Sequence, residues 1–274
     1  MVKCKLRTEM PYKRTFSTLG CPDMTLEEAI VLSNNAAITG IELRALQGSL
    51  DIPSFLASNY GRPYMLADRM KRERAKIVSL STSLKLAGSM PPDFDHFIEF
   101  IPWADALGIP YLRVFDGGKA ANEATHGEMS SSVAWFREQR ARRHWNTDIM
   151  IETHDALSTS EAIISFLKRA PGTKILWDAH HTWKMGGEDP LTTWRAIRPH
   201  VVHIHVKDSV SIRNENRPYT FKLPGTGEFP MKGLKEVLWA EYSGPLSLEW
   251  ERLWHSKLPR IEDAFSSAIR RGWW

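Results

Sequence analysis

Four short segments in the second half of the chain are apolar and β-rich, then end in carboxylate or imidazole groups. They read Met150-Ile151-Glu152-Thr153-His154, Leu176-Trp177-Asp178-Ala179-His180-His181, His203-Ile204-His205-Val206-Lys207-Asp208 and Ser247-Leu248-Glu249-Trp250-Glu251. A single acid at a strand end is usually a helix cap or a salt-bridge partner, and a single strand histidine is usually structural. Four such ends in succession ask for a different explanation. Side chains alternate along an extended chain, so Val202, Ile204 and Val206 share one face and His203, His205 and Lys207 the other. In the last segment Leu246, Leu248 and Trp250 oppose Ser247, Glu249 and Glu251. With the apolar faces covered, Glu152, Asp178, His205 and Glu249 converge. Three carboxylates in a partly buried pocket raise one another's pKa unless a counter-charge is present. One divalent ion supplies it. Three oxygen donors and an imidazole suit manganese, magnesium, cobalt or zinc, with positions left for water or substrate. His180, His203 and Glu251 are read as structural.

The elements that must position these groups alternate along the chain. Eight strand-like runs are expected: Phe16–Leu19, Ile41–Leu43, Ile77–Ser81, Tyr111–Phe115, Ile149–Glu152, Lys174–Asp178, Val201–Val206 and Leu246–Trp250. Helical stretches separate them. Thr25 to Glu28 reads as a capping box opening a helix to about Ala37, and Ser158 to Glu161 as a second one opening a helix to about Arg169. Further helices are expected over 94–107, 133–144, 191–197, 233–241 and 261–271, with an extra one inside 50–76. Strands alternating with helices pair in parallel through right-handed crossovers. Eight such units in about 250 residues predict an α/β fold, a single (β/α)₈ TIM barrel over 1–274 with 1–14 as a short N-terminal arm. An open doubly wound sheet is the alternative. A dinucleotide-binding version of it is disfavoured, because no GxGxxG follows the first run.

Composition narrows the function classes. Of 274 residues, 42% are hydrophobic and 25% charged, values of a globular chain. Lys and Arg exceed Asp and Glu by 36 to 32, a net charge of +4 that admits anionic small molecules without demanding nucleic acid. The cysteines, Cys4 and Cys21, form no CxxC pair, so a reducing, cytoplasmic setting is expected. No run reaches the roughly 18 apolar residues of a membrane span, and no apolar stretch of signal-peptide type follows the basic start.

The order Glu152, Asp178-Ala179-His180-His181, His203-Ile204-His205-Val206-Lys207-Asp208 and Leu248-Glu249 resembles the xylose isomerase-like TIM barrel superfamily. Weaker echoes are Gly40-Ile41-Glu42-Leu43, Tyr111-Leu112-Arg113-Val114-Phe115 and Pro224-Gly225-Thr226-Gly227-Glu228. The likeness runs from Phe16 to about Arg271. It implies one divalent metal on Glu152, Asp178, His205 and Glu249. It also implies that Glu152 and Glu249 act as acid and base on opposite faces of a sugar, sugar phosphate or related polyhydroxy carbonyl compound. A proton is taken from the carbon beside the carbonyl and returned, through an enediolate stabilised by the metal. His181 would hydrogen-bond a substrate oxygen. His154, Lys207 and Arg213 are further substrate-binding candidates, Arg213 lying near a position where some ketose epimerases carry an arginine.

An isomerase or epimerase is the leading reading, and a dehydratase of keto-inositol or dehydroshikimate type is the runner-up. An apurinic endonuclease-like DNA repair enzyme is disfavoured. The basic runs at 71–74 and 137–143 mix Arg with Glu as solvated helix faces do. The early strands also lack the extra histidines of a three-metal cluster. A non-catalytic scaffold is opposed by the intact Glu152 and Glu249. Trp183 or Trp254 is expected either in the barrel–helix layer or against a sugar face. The Trp273-Trp274 end is expected to dock on its own barrel or on a partner subunit, which leaves a homo-oligomer open.

Overall fold

The computed structural model describes residues 10–214 and 217–274. Its strands are β1 (Lys13–Ser17), β2 (Gly40–Leu43), β3 (Lys76–Ala87), β4 (Tyr111–Gly117), β5 (Asp148–Glu152), β6 (Lys174–Asp178), β7 (Val201–Val206), β8 (Asp208–Val210), β9 (Thr220–Lys222) and β10 (Pro245–Leu248). All but β8 and β9 close a parallel barrel in the order β1-β10-β7-β6-β5-β4-β3-β2. The helices are α1 (Leu26–Asn35), α2 (Ile52–Tyr60), α3 (Pro63–Met70), α4 (Pro91–Ile98), α5 (Ile101–Leu107), α6 (Glu123–Arg143), α7 (Ser160–Arg169), α8 (Ala179–Lys184), α9 (Pro190–Ile197), α10 (Met231–Glu241) and α11 (Ile261–Arg270). None among the described residues is long and apolar enough to cross a membrane.

Strand alternation divides the barrel into two environments. Outward residues such as Ile41, Val114, Ile151, Trp177, Ile204 and Leu248 are inaccessible in the layer beneath the helices. Helix α11 adds Ile261, Ala264, Phe265 and Ala268 to this layer, spaced i, i+3, i+4 and i+7, with Phe265 edge-on to Phe16 of β1. Burying a side chain the size of Phe265 stabilises by about 1.5–3 kcal/mol. The inward residues are mostly polar, with Met150 and Leu176 as apolar exceptions. Thr15, Ser247, His203 and Glu42 are hydrogen-bonded or ion-paired across the barrel interior. The chain end is part of the core: Trp274 stacks on Phe265 and Trp273 lies against Phe229, so the tryptophan pair docks on its own barrel.

The expected strands all form, with shifts that have local causes. The first is displaced to Lys13–Ser17, so Lys13 and Arg14 belong to the sheet and not to an arm; residues 1–9 lie outside the described residues. Ser17 ends β1 by accepting the Leu19 amide with its side chain, turning 18–20 into a 3₁₀ turn. The Thr25 capping box forms as expected. The second does not: Thr159 is the N-cap and accepts from the Ala162 amide, which puts Glu161 one position too early to close a box. The helix expected over 94–107 is two, because Pro102 at the start of α5 can neither donate to nor fit within a continuing helix. Segment 50–76 holds two helices instead of one. The antiparallel pair β8–β9 above β7 was not expected.

Candidate metal centre and active site

Strand register delivers the four expected groups to one point. Asp178 and His205 are direct partners across β6 and β7, and Ser247 pairs with His205 across β7 and β10. Glu249 follows β10, its amide bonded to the Val206 carbonyl at 3.1 Å. Glu152 ends β5. Ligand-type atoms of Glu152, Asp178, His205 and Glu249 all lie within 4.8 Å of one another, and all four residues are buried.

Each donor is oriented by a second contact. His205 Nδ1 lies 3.0 Å from Glu152 Oε1 and 3.3 Å from Glu249 Oε1, while its Nε2 is 2.8 Å from Glu42 Oε2. Asp178 caps α8: Oδ1 accepts the His181 amide at 2.8 Å, and Oδ2 lies 2.9 Å from His181 Nδ1. Lys207 is wholly buried. It reaches Asp178 Oδ2 at 2.8 Å, Glu251 Oε1 at 2.7 Å and Glu249 Oε2. Arg113 crosses from β4, its Nε 3.3 Å from Glu152 Oε2.

Charge is concentrated and mutually compensated. Burial alone would lower the His205 pKa, yet Glu42, Glu249 and Glu152 raise it well above the imidazole range. Burial likewise opposes the Lys207 ammonium, but Asp178, Glu249 and Glu251 hold it firmly protonated. Against burial, Lys207 keeps the Asp178 and Glu249 carboxyls well below their usual range. Lys207, together with His205 as long as no cation displaces its proton, supplies the positive charge that the carboxylates require.

The residues fit a divalent ion. Glu152 Oε2 is sealed from solvent and accepts no hydrogen bond; it faces Arg113 Nε only as an ion pair at 3.3 Å, which leaves its lone pairs open to a cation. Three carboxylates and a neutral imidazole are the donors a hard or borderline cation takes. Through Nε2, Glu42 would then fix the His205 ring as carboxylates commonly do for metal-bound histidines.

The remaining expected site residues divide. His181 meets Asp178 first, and its ring lies 4.3 Å from that of His154. His154 is half-buried and held by Asp155 Oδ1 at 2.9 Å. Lys207 stands within the cluster and not against its neighbour Asp208. Asp208 instead accepts the amides of Ser209, Gly225, Gly227 and Phe229, which ties down the 224–228 loop. A Cβ at Gly227 would collide with that carboxylate, so only glycine fits there. Arg213 is exposed and in no ion pair among the described residues, whereas Arg217 approaches Glu251 at 3.4 Å. His180 is structural, bonded to Ser209 Oγ at 2.7 Å among Trp183, Tyr219 and Phe221. Glu42, Arg113 and Arg217 were missed as site residues. For Glu42 the available signal was its place near the end of the second strand, with Ile41 and Leu43 facing outward.

A parallel barrel with ionisable groups gathered at its strand ends is the architecture of a TIM-barrel active site. The sequence matches the xylose isomerase-like TIM barrel over residues 34–270, and the chain belongs to that family. No curated protein sequence matches it closely. Three solved structures share the fold. A probable 3-DHS dehydratase, AsbF, from Bacillus anthracis is 18% identical, with a TM-score of 0.74 over 94% of this chain and 97% of that one. The 3-keto-D-glucoside 4-epimerase YcjR from E. coli is 11% identical, with a TM-score of 0.71 over 95% and 99%. The IOLI protein with a bound zinc atom is 15% identical, with a TM-score of 0.70 over 95% and 96%. At these identities the likeness is one of fold.

Proposed function

We propose that this chain is a divalent-metal-dependent isomerase or epimerase acting on a sugar, sugar phosphate or related polyhydroxy carbonyl compound. The observation that carries this reading is the convergence of Glu152, Asp178, His205 and Glu249 within 4.8 Å inside one barrel. These four would hold the ion, which supplies Lewis-acid polarisation of a substrate carbonyl when bound. Glu152 and Glu249 come from β5 and from the end of β10, so they approach the pocket from different sides. Each is a base suited to taking a proton from the carbon beside the carbonyl or returning it. Lys207, against burial, keeps Glu249 ionised. Arg113 does the positioning for Glu152. His181, fixed through Nδ1, presents its other nitrogen to a substrate oxygen. Among the described residues Cys21 is buried and forms no disulfide, in keeping with the cytoplasmic location that we propose.

A dehydratase reading has one observation of its own. His154 is held by Asp155 beside His181 and in this reading would protonate a departing β-hydroxyl after the same proton abstraction. The test is exchange in D₂O with manganese- or zinc-loaded protein and a panel of ketoses, sugar phosphates and keto-inositols. Deuterium entering the carbon beside the carbonyl of at least one compound, lost in Glu249→Gln, is the expected result. Absence of exchange across the panel in metal-replete protein counts against proton abstraction. Elimination of water accompanying exchange selects the dehydratase.

A further inference from the structure

Arg44 has no role in the site as built so far, yet it stands beside it. It follows Leu43 at the end of β2, two residues beyond the inward-facing Glu42, so alternation sends its side chain into the barrel one layer nearer the mouth. Thr18 Oγ1 holds its backbone amide at 2.9 Å and that of Ala45 at 3.1 Å, which fixes the strand end. The residue is only 5% exposed. Its Nη1 is sealed from solvent without a hydrogen-bond partner, and it joins no ion pair among the described residues. Arg113 and Arg217 differ in this respect, reaching Glu152 and Glu251.

A buried guanidinium left unpaired is costly, and proteins keep such a group where something else completes it. Glu152, Glu249 and Glu42 attract its charge and Arg113 repels it, so Arg44 lies within electrostatic reach of the cluster without pairing with any of them. Those carboxylates are already turned to other partners: Glu42 to His205, Glu152 to His205 and Arg113, Glu249 to Lys207. A divalent ion on the four donors would occupy them further. Arg44 would then be a fixed cation in the pocket wall with no protein anion free to meet it.

We propose that Arg44 is the anchor of an anion subsite, and that the substrate carries a carboxylate: a polyhydroxy carbonyl acid instead of a neutral sugar. This narrows the metal-dependent reading above and rests on it. One unpaired guanidinium matches a planar monoanion through its paired N–H groups. A phosphate dianion would call for further donors, and the neighbouring carboxylates would oppose its second charge.

The test measures binding of two matched sets to metal-loaded protein. One is hydroxypyruvate, dihydroxyacetone and dihydroxyacetone phosphate; the other is D-glucuronate, D-glucose and D-glucose 6-phosphate. Within at least one set the acid should bind about 10- to 100-fold more tightly than its neutral and phosphorylated counterparts, as expected for a charge-assisted contact. Arg44→Met, which keeps the apolar stem, should abolish that preference without changing metal content, and Arg44→Lys should restore part of it. The proposal is overturned if a neutral or phosphorylated member binds as tightly as the acid, or if no acid binds. It is also overturned if the preference survives in Arg44→Met, since the acid would then be chelating the metal alone. An Arg44-dependent preference in protein that holds no metal would keep the subsite and refute the metal reading instead.

Discussion

Replacing Glu42 by Gln tests whether the ring of His205 is held as a metal ligand. Glu42 is wholly buried, and its Oε1 accepts from Ser81 Oγ at 2.7 Å. Its Oε2 stands 2.8 Å from His205 Nε2 and 3.3 Å from His203 Nε2. Gln keeps the volume and removes the charge. Burial would raise the Glu42 pKa, but His205 and His203 bring it from 4.5 down to about 2. That difference corresponds to roughly 3 kcal/mol of stability. It is fully present above pH 4.5 and lost as pH falls through 2. Glu42→Gln should therefore destabilise the chelated protein by up to about 3 kcal/mol at neutral pH. Loss of a carboxylate behind a metal-bound histidine typically weakens the metal about 10- to 100-fold. Competition against a chelator of known affinity reads the second effect, and denaturant melts read the first. A variant that folds normally and holds zinc or manganese as tightly as the parent would refute the positioning role of Glu42.

Two further outcomes follow from the same geometry. His181→Asn should keep most of the metal but slow solvent exchange about 10²- to 10³-fold, as for a lost charge-stabilising donor, whereas His205→Asn should lose metal first. Equal metal loss in both variants would make His181 a support of Asp178 and nothing more. His203 is pushed from 6.5 down to about 4 by burial, with the charged His205 adding to it against the pull of Glu42. Its neutral form is favoured in the folded state, so its contribution to stability is complete above pH 6.5 and disappears as pH falls through 4, by up to about 3 kcal/mol. His203→Gln should flatten the chelated protein's stability profile over that interval, and an unchanged slope would contradict the assignment.

The positions of the strands were legible because their period of two and their apolar faces are local properties, and the residues that end β5, β6 and β7 were read correctly for the same reason. The breaks were less legible. Whether 94–107 is one helix or two depends on where Pro102 falls relative to a helix start, and periodicity is blind to that. Lys207 and Asp208 are neighbours in sequence, yet alternation sends them to opposite faces, one into the pocket and one to the 224–228 loop. Glu42 and Arg44 were not placed in the site because their meaning depends on closure of the barrel, which lets Glu42 of β2 reach His205 of β7 across the interior; no spacing along the chain records that distance.

Metal content measured alongside folding stability tests the central claim most directly. Protein purified without chelator should hold close to one divalent ion per chain by elemental analysis. Glu152→Gln with Glu249→Gln should lose most of it. Added manganese or zinc should raise the parent's stability by about 2.7 kcal/mol at a hundred times the dissociation constant. No bound divalent metal, together with a melting temperature indifferent to manganese, zinc and chelator, would contradict the account: Lys207, Arg113 and a protonated His205 would then be the permanent partners of these carboxylates.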